Sequence, residues 1–328
     1  MTAMLVAAEL AIEYVTPRGT VRALDVADIS LDAGQSLGLV GESGSGKTTL
    51  GMAAGRLLPT TARRVGGSLM VAGRPIFELE DRDLAALRRD QLGFIFQSPM
   101  AALNPTTRIG RQVGWAMGRK ADDRIHVLLR QVGLPDVKRV AHAFPHELSG
   151  GMAQRVVIAM AIARRPRLLI ADEPTASLDA SIRGQIFNLL MALKNETGAA
   201  LVLLSHELSV VASYCDTIGV MYGGRVVESG RSRDVFARPI HPYTQALLRA
   251  APGRERPGER LNPIPGTPAI LTGPSQGCGF APRCPLADDR CRQVRPEARE
   301  VAGRRVHCHH AEAAPPLRAA TRANSRTP

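Results

Sequence analysis

The spacing of apolar residues changes in a definite order along the chain. Residues 10–15 half-alternate between apolar and polar, Thr16-Pro17-Arg18-Gly19 reads as a turn, and residues 36–40 form a short apolar run, so two strands are predicted ahead of a glycine-rich loop. From Lys47 to Leu58 the apolar positions recur at helical spacing. Strand, glycine-rich turn and helix together form the opening unit of an α/β fold. Residues 98–165 read as mostly helical, whereas 168–171 and 200–204 are continuous apolar runs, the pattern of strands buried on both faces of a parallel sheet. The expectation is a parallel-sheet core over residues 1–97 and 166–235, with a helical insert at 98–165. After Gly230 the character shifts, since prolines crowd 252–274 and four of the five cysteines lie from Cys278 onward. A separate C-terminal module is predicted over 236–310, with a disordered tail at 311–328. The chain shows no internal repeat.

No apolar run reaches the length needed to span a bilayer; even residues 156–163 are closed off by Arg155 and Arg164. Residues 1–9 lack a basic residue ahead of a short apolar stretch, so no secretion leader is expected. The reading is a cytosolic protein that reaches a membrane only through partners, in a compartment where five cysteines do not form structural disulfides. The net charge of +12 permits an anionic partner. Residues 251–328 hold 13 Arg against 7 acidic residues, however, so much of the excess belongs to a solvated tail. Seven Phe, four Tyr and one Trp make a poor base-stacking platform, and no nucleic-acid partner is expected.

Two stretches carry candidate chemistry. Gly41-Glu42-Ser43-Gly44-Ser45-Gly46-Lys47-Thr48 fits the phosphate-loop pattern, in which glycines let consecutive backbone N–H groups point at phosphate oxygens and the next helix presents its positive end. Lys47 supplies a mobile charge for the β- and γ-phosphates, and Thr48 a hydroxyl for Mg²⁺. Residues 168–171 lead into Asp172 and Glu173, the first placed to hold the metal, the second to polarise an attacking water. The two stretches need each other, because the metal requires both a hydroxyl and an acid.

Leu148-Ser149-Gly150-Gly151-Met152-Ala153-Gln154-Arg155 closely resembles the LSGGQ signature of ABC ATPases and lies shortly before the acidic strand, as in that family. Gln97 resembles the family's glutamine that touches Mg²⁺ and the attacking water. Ser177-Leu178-Asp179 resembles the loop that crosses the dimer interface, and His206 the switch histidine at the γ-phosphate, with Glu207 beside it where Asp is more usual. Tyr14, 33 residues before Lys47, resembles the aromatic that stacks on adenine. The resemblance covers about residues 5–310. It implies a RecA-like P-loop core with an antiparallel β subdomain and a helical subdomain, and a dimer in which each ATP is gripped by two subunits. One subunit contributes Gly41, Ser43, Gly44, Ser45, Gly46, Lys47, Thr48 and Thr49; the other contributes Ser149, Gly150, Gly151, Gln154 and Asp179. Catalysis is expected from Glu173, Gln97 and His206, with Mg²⁺ at Thr48, Gln97 and Asp172.

Residues 99–105 after Gln97, and His241-Pro242-Tyr243-Thr244-Gln245-Ala246-Leu247-Leu248, are similar to stretches of the oligopeptide and dipeptide importers; Ser98 departs from their frequent Asp. That branch implies an ATPase subunit at the cytoplasmic face of the plasma membrane, working with a second ATPase, two permeases and an external binding protein to import peptides. Nickel, glutathione or another small solute is the alternative cargo, and a soluble ABC ATPase acting on DNA or the ribosome the alternative class. Cys278, Cys284, Cys291 and Cys308, with 5, 6 and 16 residues between them, do not have the spacing of paired zinc knuckles or of a simple ferredoxin. They match the branch's cysteine pattern, some members of which hold a 4Fe-4S cluster; zinc or unliganded thiols remain open here. Cys215 reads as a small buried hydrophobe.

Overall fold

The computed structural model describes residues 3–118, 122–176, 178–251 and 263–312. Ser177 and residues 313–328 of the expected tail lie outside the described residues. Among the described residues, twelve strands form two sheets. An antiparallel sheet contains β1 (Ala3–Thr16), β2 (Gly19–Asp32), β4 (Ala62–Val71) and β5 (Arg74–Pro75), in the order β2-β1-β4-β5. The second sheet runs β11-β12-β10-β9-β3-β8-β7-β6, with β3 (Ser36–Val40), β6 (Leu92–Ile95), β7 (Leu168–Asp172), β8 (Ala200–Ser205), β9 (Thr217–Tyr222), β10 (Arg225–Arg231), β11 (Arg299–Val301) and β12 (Arg304–Val306). From β9 to β6 the strands are parallel.

Every residue of β3, β7 and β8 is buried, and the two-residue period of a strand explains how. Leu168, Ile170, Val202 and Leu204 point to one face, where they pack with Leu10, Leu24 and Leu31 of the antiparallel sheet. Leu169, Ala171, Leu201 and Leu203 point to the other, onto Ile186, Leu190 and Val211 of the helices. A strand covered on both faces has no polar positions to alternate with, which is why these stretches read as continuous apolar runs.

The insert is helical as expected: Pro99–Ala102, Ile109–Met117, Asp122–Gln131, Val137–His142, then Gly150–Ile162 leading back to β7. The C-terminal region differs from the separate module that its composition suggested. Strand β12 pairs with β10 of the main sheet, Glu228 opposite Val306 and Ser229 opposite Arg305. Fully buried Glu228 accepts the backbone N–H of Ile240 at 3.0 Å and of His241 at 2.9 Å and meets Arg304 at 3.4 Å. Tyr222, Tyr243 and Phe280 close the seam as a cluster of rings 4.6–5.3 Å apart. Composition marks where the chain becomes proline-rich, but it carries no record of pairing between distant strands. The expected tail is also cut back, because Ala311 packs with Ile240, Val306 and Cys308.

Candidate functional site

Parallel strands deliver their C-terminal ends to one edge, and the candidate residues follow directly from those ends. The phosphate loop leaves β3, Gln97 follows β6, Asp172 ends β7 with Glu173 next, and His206 follows β8. Ser43 to Thr49, Gln97, Glu173 and His206 line a single cavity of about 920 Å³, a size suited to a small-molecule ligand.

The loop's shape depends on glycine at two points. Gly46 has φ +102°, and a side chain there would run into the Ala23 carbonyl; one at Gly41 would meet the Met221 carbonyl. Lys47 opens the helix Lys47–Ala54 and turns its ammonium back over the loop, donating to the Gly41 carbonyl at 2.8 Å and the Glu42 carbonyl at 3.0 Å. Thr48 Oγ1 donates to Asp172 Oδ1 at 3.2 Å, so hydroxyl and acid are already paired as a metal would need them. Burial depresses the Lys47 ammonium below the ordinary lysine range and raises the Asp172 carboxyl above the ordinary aspartate range. Both charges are therefore under-compensated, one wanting an anion and the other a cation, and this is the donor set that Mg²⁺ and phosphate fit.

Glu173 adopts φ +43°, a left-handed conformation that a side chain rarely takes and that clusters at functional positions. Its two carboxylate oxygens engage different partners: Gln97 Nε2 donates to Oε2 at 3.1 Å, and His206 Nδ1 lies 3.2 Å from Oε1. An acid held from both sides at the cavity wall can orient a water without swinging away.

Other expected residues lie elsewhere. Ser149 caps the helix Gly150–Ile162, accepting the Met152 N–H at 3.4 Å; with Gly150 and Asp179 it is exposed and does not line this chain's cavity. Gly151 is buried behind it. One expectation needs correction. Gln154 is 1% exposed, facing inward one turn into that helix, so its side chain is not offered to a nucleotide. Tyr14 stands beside the cavity: its hydroxyl lies 3.3 Å from Oγ1 of Thr49, which lines it. What the sequence did not flag is Val21, Arg22 and Ala23 on β2 and residues 267–271 of the C-terminal region, which complete the cavity. No motif links these segments, although the proline-rich composition of the second marked it as irregular.

All four C-terminal thiols are free. Burial is the main cause raising each above the ordinary thiol range, Cys308 to about 12, and every pair among the four adds like-charge repulsion. Among the described residues the one set of three or more His, Cys, Asp or Glu donor atoms within 4.8 Å of one another is Asp288, Cys291 and His310. Cys215 is buried, its thiol also pushed up to about 12 by burial.

The chain matches the ABC transporter family model over residues 24–176, and a second family model, the C-terminal region of oligopeptide/dipeptide transporters, over 227–291. It is 42% identical over 308 residues to the oligopeptide transport ATP-binding protein OppD of Salmonella typhimurium, covering 92% of this chain and 91% of that one. This chain belongs to the ABC transporter family. A further member, the dipeptide transport ATP-binding protein DppD of Haemophilus influenzae, is 40% identical over 94% of this ABC chain and 95% of its own. Among solved structures, a dimeric ATP-binding cassette in a post-hydrolysis state bound to ADP and Pi aligns with TM-score 0.63 and 28% identity, over 70% of this chain and 99% of that one.

Proposed function

We propose that this chain is the ATP-hydrolysing subunit of a peptide importer. The observation that carries the reading is the convergence, at one edge of the parallel strands, of an under-compensated lysine, a hydroxyl–carboxylate pair and a doubly held glutamate in one cavity. In this reading Lys47 and the loop amides hold the ATP phosphates, Thr48 and Asp172 hold Mg²⁺, with Gln97 contributing, and Glu173 orients the attacking water while His206 senses the γ-phosphate. The exposed Ser149, Gly150 and Asp179 serve the nucleotide of a second ATPase subunit, so that two ATPs close the pair and hydrolysis reopens it.

Supporting the transport assignment, no helix among the described residues is long and apolar enough to cross a membrane, and relatives are named as transport ATP-binding proteins. Motion must then pass to permease subunits at the cytoplasmic face of the plasma membrane. A groove of about 510 Å³ between core and helical insert, lined by Phe94, Phe96, Trp115 and Met160, offers the permeases a seat, and an external binding protein delivers the cargo.

The same reading gives Cys278, Cys284, Cys291 and Cys308 a 4Fe-4S cluster. One zinc ion needs four sulfurs about 3.8 Å apart, at tetrahedral Zn–S distances. No three of the four thiols fall within 4.8 Å of one another, wider than a single zinc ion needs. When bound, the cluster would cross-link a proline-rich segment that has little core of its own.

The nucleotide assignment is tested with Glu173→Gln. Turnover should fall at least about 100-fold while ATP still binds, as expected when a general base is removed but the phosphate cradle is intact. Undiminished hydrolysis would refute it.

A further inference from the structure

The wall of the nucleotide cavity divides by chemistry. One part, Ser43 to Thr49 with Gln97, Glu173 and His206, is polar and charged; the other, Val21, Ala23, Pro268, Ala269, Ile270 and Leu271, is apolar, with Arg22 and Thr267 the polar side chains among them. A nucleotide divides in the same way, into an anionic chain and a flat, largely apolar base. Residues 267–271 supply a large part of the apolar surface that matches the base, near Tyr14, whose hydroxyl meets Thr49 of the wall.

This segment is held firmly for a stretch without regular structure. The Leu271 carbonyl accepts the N–H of Arg22 at 2.7 Å, and the N–H of Ala269 reaches the Tyr222 hydroxyl at 3.3 Å. Upstream, Arg283 donates to the carbonyls of Pro265 at 2.7 Å and Ile264 at 3.2 Å. The same guanidinium, with its side chain 4% exposed, grips the Glu42 carboxylate at 2.7 and 3.1 Å, and Glu42 lies within the phosphate loop. One planar cation thus fixes the segment to the loop in a fork geometry that lysine does not offer.

Between the two fastened neighbours stands Ile270. At 76% exposure it is the most exposed large apolar side chain among the described residues, yet it lines the cavity. A backbone tied on both sides cannot turn this side chain away from water, whereas a base laid against it would remove that apolar surface from solvent.

We propose that residues 267–271 form part of the base subsite of this ATPase, with Ile270 packing on the purine and Arg283 positioning the segment against the phosphate loop. The proposal rests on the nucleotide reading of the cavity. Since the contact is apolar, it favours any purine nucleotide over a bare polyphosphate.

The test measures calorimetric affinity of the full-length protein for ATP and for inorganic tripolyphosphate, which has the charge but no base. Ile270→Ala and Ile270→Ser, both at an exposed position, should weaken ATP binding about fivefold, in line with loss of a modest apolar contact. Tripolyphosphate binding should not change. Unchanged ATP affinity in both variants, or an equal loss for the two ligands, overturns the base subsite. Lys47→Ala separates this failure from a deeper one. If it abolishes binding of both ligands while the Ile270 variants behave as wild type, the nucleotide site stands and only the subsite falls. If Lys47→Ala binds both ligands like wild type, the site assignment fails and the subsite with it.

Discussion

The two sides of the nucleotide cavity are built by opposite means. The phosphate side is nearly contiguous in sequence: eight residues supply the loop, and its lysine is tied to carbonyls five and six positions away. The side formed by residues 267–271 is assembled from segments more than 200 residues apart, joined through Arg283 and Glu42. A local motif tolerates change elsewhere in the chain, whereas a wall of distant parts depends on the seam that brings those parts together. The seam is made of buried charges and buried aromatic rings, and it can be challenged at several points.

The sharpest challenge is Arg304→Met, which leaves fully buried Glu228 without its cation. Removing one partner of a buried pair costs about 3–5 kcal/mol. Chemical denaturation should show a loss of about 3 kcal/mol in a single transition of the whole protein. If only the C-terminal part melts, with the core unaffected, the two regions are separable after all.

Next in size, when read over the first one or two pH units below 6.5, is a pH effect at His241, which is buried neutral with its pKa lowered to about 3, chiefly by desolvation. The unfolded chain takes up this proton below about pH 6.5 and the folded one only near pH 3, so the stability is complete above pH 6.5 and is lost as pH falls towards 3. Within that window the contribution of one such group changes by about 1.4 kcal/mol per pH unit. His241→Asn keeps an acceptor for the Tyr243 N–H, now met by Nδ1 at 3.0 Å, but cannot be protonated. The difference in unfolding free energy between variant and wild type should show that slope; parallel pH profiles would remove His241 from the seam's energetics.

The smallest effect is expected from Cys308→Ser. On the proposed cluster, the anaerobically purified variant should lack the iron and visible absorbance of the wild type, and ATP should bind about threefold more weakly, since Arg283 is the immediate neighbour of Cys284. Full iron content in the variant would remove Cys308 as a ligand. Lost iron with unchanged ATP affinity would confine the cluster's influence to its own segment.

How much could be read from the chain follows the same division. Lys47, Thr48, Asp172 and Glu173 were legible from local motifs, Gln97 and His206 only from the family resemblance, and the parallel strands carry all six to one edge. The continuous apolar runs at β3, β7 and β8 disclosed burial on two faces. Pairing of β12 with β10 was not legible, since strands of 3 and 7 residues carry too little pattern to name their partners. Gln154 shows the converse limit. Its spacing agrees with the family, but spacing does not say which way a side chain turns, and here Gln154 turns to the interior.

The left-handed backbone at Glu173 carries a cost that its carboxylate cannot lessen. Such a conformation costs of order 1–3 kcal/mol in a residue with a side chain, and the packed ends of β7 and β8 must absorb it. Drift towards greater robustness would therefore tend to replace this residue with asparagine or glycine, which tolerate the bend more easily. On the proposed catalytic role, selection for turnover has to resist that pull, so a position where the chain is strained is also one where it can least give way.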